Sequence, residues 1–522
     1  MTIWDTLTEA LEGAPDSIAV VDGAVRLTYG EVHRRISSLG NFLRSQGIGQ
    51  GDRISILDVN SVHFYEAYYT AAGLGTILNP LNYRLSVKEL VYILNDAGSR
   101  WLLASPCFKT EVESILKSIN NLRGTLWLGE KPDVMDGDQF SYNEALQCAA
   151  DFLPASVQND AIAHLYYTSG TTGKPKGVIL THKNICCHAQ GTIDELQLSS
   201  DDVWGHIAPM FHLADAWATF AITAVGGRHV MLPAFDAESA LKLIENERIT
   251  ISNLIPTMLN LMVKNPDVHT TDLSSLRMIL SGGAPIAIDV VRRTIEAFRC
   301  EYVQTYGMTE TSPYLTLSLL KEHLKALPEE EQISYRARTG RPFKTVDLKV
   351  VREDDPEEVV RNDREVGEIW VKGDTITPGY WNRPDETKEV FSDGWLRTGD
   401  LAVIDSEGYL NIVDRKKDMI ISGGENIYSI EVESLLYEHP DVIEAAVVGI
   451  PDETWGEIVG AFVVLKIESK TSGKELIRFC KDNLSSFKVP KRVILLQELP
   501  KTGSGKIYKK GLRDIFCGEV DS

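Results

Sequence analysis

Along the first 330 residues, apolar runs of strand length alternate with segments whose apolar positions recur at helical spacing. "DRISILDV" followed by "SVHFYEAYYTAAGLG" is one such pair, and "SLRMILSGGAP" followed by "IAIDVVRRTIEAFRC" is another. Alternation of this kind predicts α/β layers. "LTYGEVHRRISSLGNFL" places Thr28 three residues before Glu31, the reciprocal capping pattern that opens a helix. From about residue 336 the pattern shortens. "VDLKVV", "VGEIWVKG", "WLRTGDLAVID" and "GYLNIVDR" read as short strands of a small, mainly antiparallel β subdomain, with the acidic runs "PEEEQ" and "EDDPEE" in its loops. After "DRKKD" an α+β module follows: helix "SIEVESLLYEHP", strands "EAAVVGI" and "GAFVVLKI", helix "KELIRFCKDNL" and strand "RVILLQELP". The predicted fold class is α/β, with a large multi-subdomain N-terminal body over 1–415 and an α+β C-terminal domain over 416–522.

Composition narrows this reading. A chain of 522 residues is too long for one core, and 43% hydrophobic with 24% charged residues is ordinary for a soluble globular protein. The net charge of −21 argues against nucleic acid or an anionic membrane as the main partner. Residues 416–522 hold 15 Lys and Arg against 17 Asp and Glu, so the tail is nearly neutral and suits a lid over an anionic substrate. The acidic start "MTIWDTLTEALEG" has no signal-peptide pattern, and no apolar run approaches 18 residues. Seven cysteines without a CxxC predict reduced thiols rather than disulfides or a zinc site. A cytoplasmic protein without integral membrane association is expected.

The stretch "YYTSGTTGKPKG" (166–177) then directs attention to phosphate. It fits neither the Walker spacing nor a dinucleotide fingerprint. It lies between two apolar strand-like runs, with a helix beginning only near Lys183, so a strand–loop–strand connection is predicted. Its grip on an anion would come from backbone N–H groups in a glycine-permitted turn, with hydroxyls and ammonium groups added. Four other stretches supply the remaining parts for ATP. "SGGAP" (281–285) lets a flat ligand approach the backbone. "QTYGMTE" (304–310) offers Tyr306 to stack on a base and Glu310 to hold Mg²⁺. "RTGD" (397–400) offers the Asp400 carboxylate to two ribose hydroxyls, and "PKTGSGKIYKK" (500–510) carries Lys506 in a glycine-rich loop.

These motifs, with "DRKKDMIISGGENIY" (414–428), resemble in kind and order the core motifs of the adenylate-forming superfamily, over about 340 residues. The resemblance implies a body that binds ATP and a carboxylic acid, and a small C-terminal domain that rotates between two half-reactions. It implies that Thr168, Ser169, Gly170, Thr171, Thr172, Gly173 and Lys174 hold the β- and γ-phosphates. Gly283, Ala284 and Pro285 would line the adenine, with Tyr306 and Gly307 beside it. Thr309 would contact the α-phosphate, Glu310 the Mg²⁺, and Asp400 and Arg415 the ribose. Lys506 would bridge the acid's carboxylate and the α-phosphate, Lys417 takes the hinge position, and Gly423 and Gly424 border the pantetheine tunnel.

In "APMFHLADAW" the position where amino-acid-activating relatives carry an Asp is His212, which cannot anchor an ammonium group. The resemblance therefore points to the acyl-CoA synthetase branch, with His212 beside the acyl tunnel among the catalytic positions. The expected rim of the acid pocket is Phe211, Leu213, Ala214, Trp217, Met308, Pro313 and Tyr314. It holds no cation to pair with a second carboxylate, so an apolar monocarboxylic acid is expected, medium-chain or alicyclic/aromatic. ATP, Mg²⁺ and coenzyme A are the expected cofactors. A stand-alone ligase that loads a carrier protein, a non-catalytic acyl-CoA or nucleotide sensor, and a homodimer stay open at this point.

Overall fold

The structure is a computed structural model that describes residues 1–522 apart from 133–136, 169–173, 284–285, 353–356, 502–506 and 521–522. Its strands gather into four sheets. A seven-stranded sheet runs in the order Asp138–Ser141, Gly124–Trp127, Trp101–Ala104, Arg53–Leu57, Ile77–Pro80, Ile162–Thr168, Lys176–Thr181. All but the last are parallel to their neighbours. A nine-stranded sheet has six parallel central strands: Glu301–Gly307, Met278–Gly282, Ile251–Asn253, Val203–His206, Arg228–Met231 and Ile18–Asp22. Antiparallel strands Tyr314–Leu317 and Val25–Thr28 flank them.

The predicted cap forms. Thr28 heads helix Tyr29–Ser45 and exchanges hydrogen bonds with Glu31, N–H to Oε2 at 2.9 Å and Oγ1 from N–H at 3.2 Å. Helices Val62–Leu74 and Leu213–Ala224 are apolar almost all round and buried almost all round, as inner-layer helices must be. One expectation fails. The acidic run 328–332 opens helix Glu329–Ala337 rather than lying in a loop. Pro328 immediately before it and three glutamates in its first turn, at the positive end of the helix dipole, favour that start.

The chain divides into two compact units, Met1–Asp347 with Lys372–Leu396, and Leu348–Val371 with Arg397–Ser522. The second unit holds a sheet in the order Glu425–Ile427, Ile420–Ser422, Gly456–Leu465, Val442–Asp452, with Arg492–Leu495 parallel on Gly456–Leu465. Alternate residues of these strands feed two cores. Ala445, Val447, Ala461 and Val463 pack with Val432, Leu436 and Leu476 of two helices, and Ala446, Val448, Phe462 and Val464 with Leu512 and Phe516 of another. The division differs from a boundary at 415/416 because strand Leu410–Arg415 packs on helix Ser429–Glu438, where Asp414 accepts from the Ser429 N–H and, at 3.0 Å, from its hydroxyl. Among the described residues, no helix is long and apolar enough to cross a membrane.

Candidate active site

The phosphate-loop motif joins two antiparallel strands, as the flanking apolar runs predict. Tyr167 pairs with Gly177 and Thr168 with Lys176. Ser169, Gly170, Thr171, Thr172 and Gly173, between them, lie outside the described residues. Lys174 Nζ stands 5.7 Å from the centroid of the Tyr92 ring, and Lys176 Nζ 5.3 Å from that of Tyr380 and 3.9 Å from Glu386 Oε1.

Glu310 sits in a single 3₁₀ turn, Thr309–Thr311, just past the carboxyl end of strand Glu301–Gly307. That edge of a parallel sheet is where α/β folds bind ligands. Gly307 makes the turn possible: a Cβ there would lie well inside van der Waals contact with the Pro313 carbonyl oxygen. The Met308 N–H donates to Pro313 O at 3.1 Å and to Thr311 Oγ1 at 3.1 Å, which closes the turn. The Glu310 side chain is only 6% exposed, and its Oε1 accepts from the Tyr380 hydroxyl at 2.9 Å. Burial, and then the Glu310 charge, hold the Tyr380 phenol well above its ordinary pKa, so it remains a donor.

Segment 377–381, which the sequence reading passed over, ties Glu310 to the phosphate hairpin. The Thr377 N–H donates to Glu310 O at 2.8 Å, while its hydroxyl donates to Ile179 O at 2.6 Å. Ile179 N–H reaches Gly379 O at 3.1 Å, and Trp381 N–H reaches Gly177 O at 2.8 Å. Glu310 and Lys176 thus both meet one short segment, at Tyr380. The signal for it, "TPGYW" at 377–381, is a glycine and aromatic pair whose partners lie about 70 and 200 residues earlier.

The donors near Glu310 and Thr309 are oxygens, which suits a hard cation such as Mg²⁺. Among the described residues no cluster of three or more His, Cys, Asp or Glu is placed to hold a metal. A Mg²⁺ here fits only as an ion held by one carboxylate and completed by phosphate oxygens and water.

The remaining first-unit positions fall along the same sheet edge. Strand Met278–Gly282 ends at Gly283, whose φ of +82° is left-handed, and Ala284 and Pro285 lie outside the described residues. Tyr306 pairs with Thr316 across the antiparallel junction. His212 is the N-cap residue of helix Leu213–Ala224, its ring 4.5 Å from that of Phe211. Trp217 and Tyr314 are 1% and 3% exposed, with ring centroids 5.3 Å apart. His188 joins them at 5.5 and 5.2 Å, and Phe343 stands 5.3 Å from His188. Neither His188 nor Phe343 was anticipated, because nothing in either local sequence points to the rings of 217 and 314.

In the second unit Asp400 and Arg415 are direct cross-strand partners, Arg415 Nε 3.4 Å from Asp400 Oδ1. Lys417 is exposed at the surface, and partial desolvation of its amine lowers the pKa from the usual lysine value. Gly423 and Gly424 both take left-handed φ, +60° and +86°, and the Gly423 N–H donates to Trp455 O at 2.8 Å. Lys506 lies outside the described residues.

The family described as AMP-binding enzyme matches residues 7–381, and its AMP-binding enzyme C-terminal domain matches residues 431–506. The chain is 38% identical over 505 residues to a feruloyl-CoA synthase from Amycolatopsis sp, covering 96% of each chain. It is 36% identical to a long-chain-fatty-acid–CoA ligase from Thermus thermophilus, covering 99% of this chain and 96% of that one. The structure is similar to that of o-succinylbenzoate CoA synthetase from Bacillus subtilis in complex with its acyl-adenylate intermediate, with a TM-score of 0.84, 31% identity and 98% of both chains covered.

Proposed function

We propose, given that the chain belongs to the AMP-binding enzyme family and to its acyl-CoA synthetase branch, that it activates a compact apolar monocarboxylic acid of ring or medium-chain size. It is an ATP-dependent, AMP-forming acid–CoA ligase. An acid carboxylate displaces pyrophosphate at the α-phosphorus of ATP, and the CoA thiol then displaces AMP from the acyl carbon.

The residue roles belong to the proposal. The hairpin 168–174 holds the β- and γ-phosphates, with Lys174 supplying charge. Thr309 steadies the α-phosphate. Glu310, fixed through Tyr380 and Thr377, holds Mg²⁺, which when bound offsets the charge of the departing pyrophosphate. Asp400 and Arg415 hold the ribose. Lys506 stabilises charge between carboxylate and α-phosphate. His212 lies beside the acyl path, and Gly423 and Gly424 border the path of the CoA thiol. The cytoplasm is the compartment this substrate set implies.

The observation that carries the acid class is the ring cluster of His188, Trp217, Tyr314 and Phe343. These residues are buried and their rings pack around His188, which supports an acid site bounded by rigid aromatic surface. A feruloyl-CoA synthase among the relatives supports a ring-sized acid, and the fatty-acid ligases support an apolar one. The test is pyrophosphate release across aryl, alicyclic and fatty acids of increasing length, with and without CoA. Preference for acids beyond about 14 carbons would overturn the size reading, since an extended chain of that length spans roughly 18 Å at ~1.3 Å per carbon, as long as a fully extended five-residue strand. Acyl-AMP that accumulates with CoA present and moves only to a carrier protein would overturn the acceptor.

A further inference from the structure

The two strands that lead into and out of the phosphate hairpin are tied to one residue of a neighbouring helix. Asp96 lies in the last turn of helix Val87–Ala97. Its Oδ2 accepts from the hydroxyl of Tyr167 at 2.8 Å, on the ingoing strand one residue before Thr168. Its Oδ1 accepts from Arg383 Nη2 at 2.6 Å, and its backbone carbonyl accepts from the Trp381 indole N–H at 3.1 Å. Trp381 also gives its own backbone N–H to Gly177 O on the outgoing strand. Arg383 Nη2 reaches the Tyr92 hydroxyl as well, at 3.1 Å, and Tyr92 is the ring beside the Lys174 ammonium.

The helix itself gives this carboxylate no reason to be there. A helix ends in carbonyl groups of negative partial charge, so an acid in the last turn has the wrong sign, and the last turn of Val87–Ala97 holds no basic residue to offset it. The compensation comes from outside the helix, from Tyr167 and Arg383. The Asp96 side chain is 12% exposed and both its oxygens are engaged, one of them in a charge-assisted bond. Burial, and then the bond to Asp96, hold the Tyr167 phenol above its ordinary pKa, so it remains a donor. Gly177 completes the clasp. A Cβ there would lie 3.0 Å from the Tyr167 ring and 3.3 Å from Trp381 Cβ, so the outgoing strand closes tightly on both side chains.

We infer that Asp96 is a positioning residue for ATP, acting through Tyr167 to fix the stem of the hairpin whose residues 168–174 receive the β- and γ-phosphates. The inference rests on that reading of the hairpin. A stem fixed before the nucleotide arrives leaves less to be ordered on binding, and so raises affinity for whatever the hairpin grips. AMP carries neither of those phosphates. The clasp therefore strengthens the binding of ATP and leaves that of AMP unchanged, a split that general support of the fold does not produce.

The experiment titrates the full-length protein with ATP and, separately, with AMP, each with Mg²⁺, by calorimetry. It compares the wild type with Asp96→Ala, Tyr167→Phe, the double variant and Lys174→Ala. Asp96→Ala removes both carboxylate bonds but keeps the carbonyl that holds Trp381, and should weaken ATP by about tenfold. Tyr167→Phe removes one bond and should weaken ATP by about threefold. AMP affinity should stay within about twofold of wild type in both. The double variant should bind ATP no more weakly than Asp96→Ala, because Tyr167 acts through that carboxylate, and additive losses would overturn the clasp. A folded Asp96→Ala that binds ATP as the wild type does overturns the inference, and so does an equal loss for ATP and AMP. If Asp96→Ala does not fold, Tyr167→Phe decides: loss confined to ATP supports the inference, and unchanged ATP affinity overturns it. Lys174→Ala tests the reading beneath. Wild-type ATP affinity there removes the phosphate role of the hairpin, and the inference falls with it. Weakened ATP binding there, with both stem variants unchanged, removes the inference alone.

Discussion

Glu310 shows how a single carboxylate is aimed. Its backbone carbonyl accepts from the Thr377 N–H and its Oε1 from the Tyr380 hydroxyl, which fixes both the turn and the carboxylate. Glu310→Gln should keep the fold and lower pyrophosphate release by about 10²-fold or more, because an amide offsets no metal charge. The check is the rate at limiting Mg²⁺, and a near-wild-type value there would remove Glu310 from the metal role. A second buried carboxylate predicts a pH effect. Asp58 accepts from the Ser61 hydroxyl at 2.5 Å and the Val59 N–H at 2.8 Å, but burial dominates and pushes its carboxyl up to about 7. A raised acid binds its proton more tightly in the folded state than in the unfolded chain. The linked stability is therefore full below about pH 4 and is lost as the pH rises through about 7, up to ~4 kcal/mol. Melting temperatures from pH 4 to 7 should fall more steeply for the wild type than for Asp58→Asn, and parallel slopes would refute the assignment. At this scale the sequence identifies Glu310, whose motif is local, but not Tyr380, whose approach depends on a chain path 70 residues long.

Elements were legible where their signal is local. The Thr28–Glu31 cap and the strand–loop–strand form of 166–177 follow from neighbouring residues alone. The acidic run 328–332 misleads because glutamates suit both a solvated loop and the first turn of a helix, and only the structure decides between them. The turn that carries Glu310 depends on one close approach, at Gly307. Gly307→Ala should force strand Glu301–Gly307 away from Pro313, at a cost of about 3 kcal/mol, and should reduce pyrophosphate release along with stability. A variant with wild-type melting and wild-type rate would mean that the junction yields freely and does not position the site.

For the whole molecule, the question is where it bends. Two compact units are visible, whereas the proposed hinge at Lys417 lies inside the second. The bonds that a motion at 417 must accommodate include those from the Ser429 N–H and hydroxyl to Asp414, and those from the Asp418 and Met419 N–H groups to Arg415 O at 2.9 and 3.0 Å. Lys417→Pro fixes φ near about −65° and removes one N–H, which biases the chain to one arrangement. The expected result is pyrophosphate release retained and acyl-CoA formation lost, measured on one folded preparation. Acyl-CoA made at the wild-type rate would move the hinge elsewhere, with the ends of the compact units the next places to test.

The strand Ile18–Asp22 pairs in parallel with Arg228–Met231, Val20 opposite His229, and its apolar residues are buried. About 200 residues separate the two. At a synthesis rate of roughly 5–20 residues per second, that strand leaves the ribosome on the order of 10–40 s before its neighbour exists. For that interval the nascent chain holds an apolar strand that is paired on one edge by the hairpin arm Val25–Thr28 and covered by helices Tyr29–Ser45 and Val62–Leu74, while its other edge has no neighbour. Slower translation should therefore lengthen its exposure to chaperones and to aggregation, which makes the early sheet edge, rather than the active site, the step most sensitive to the pace of translation.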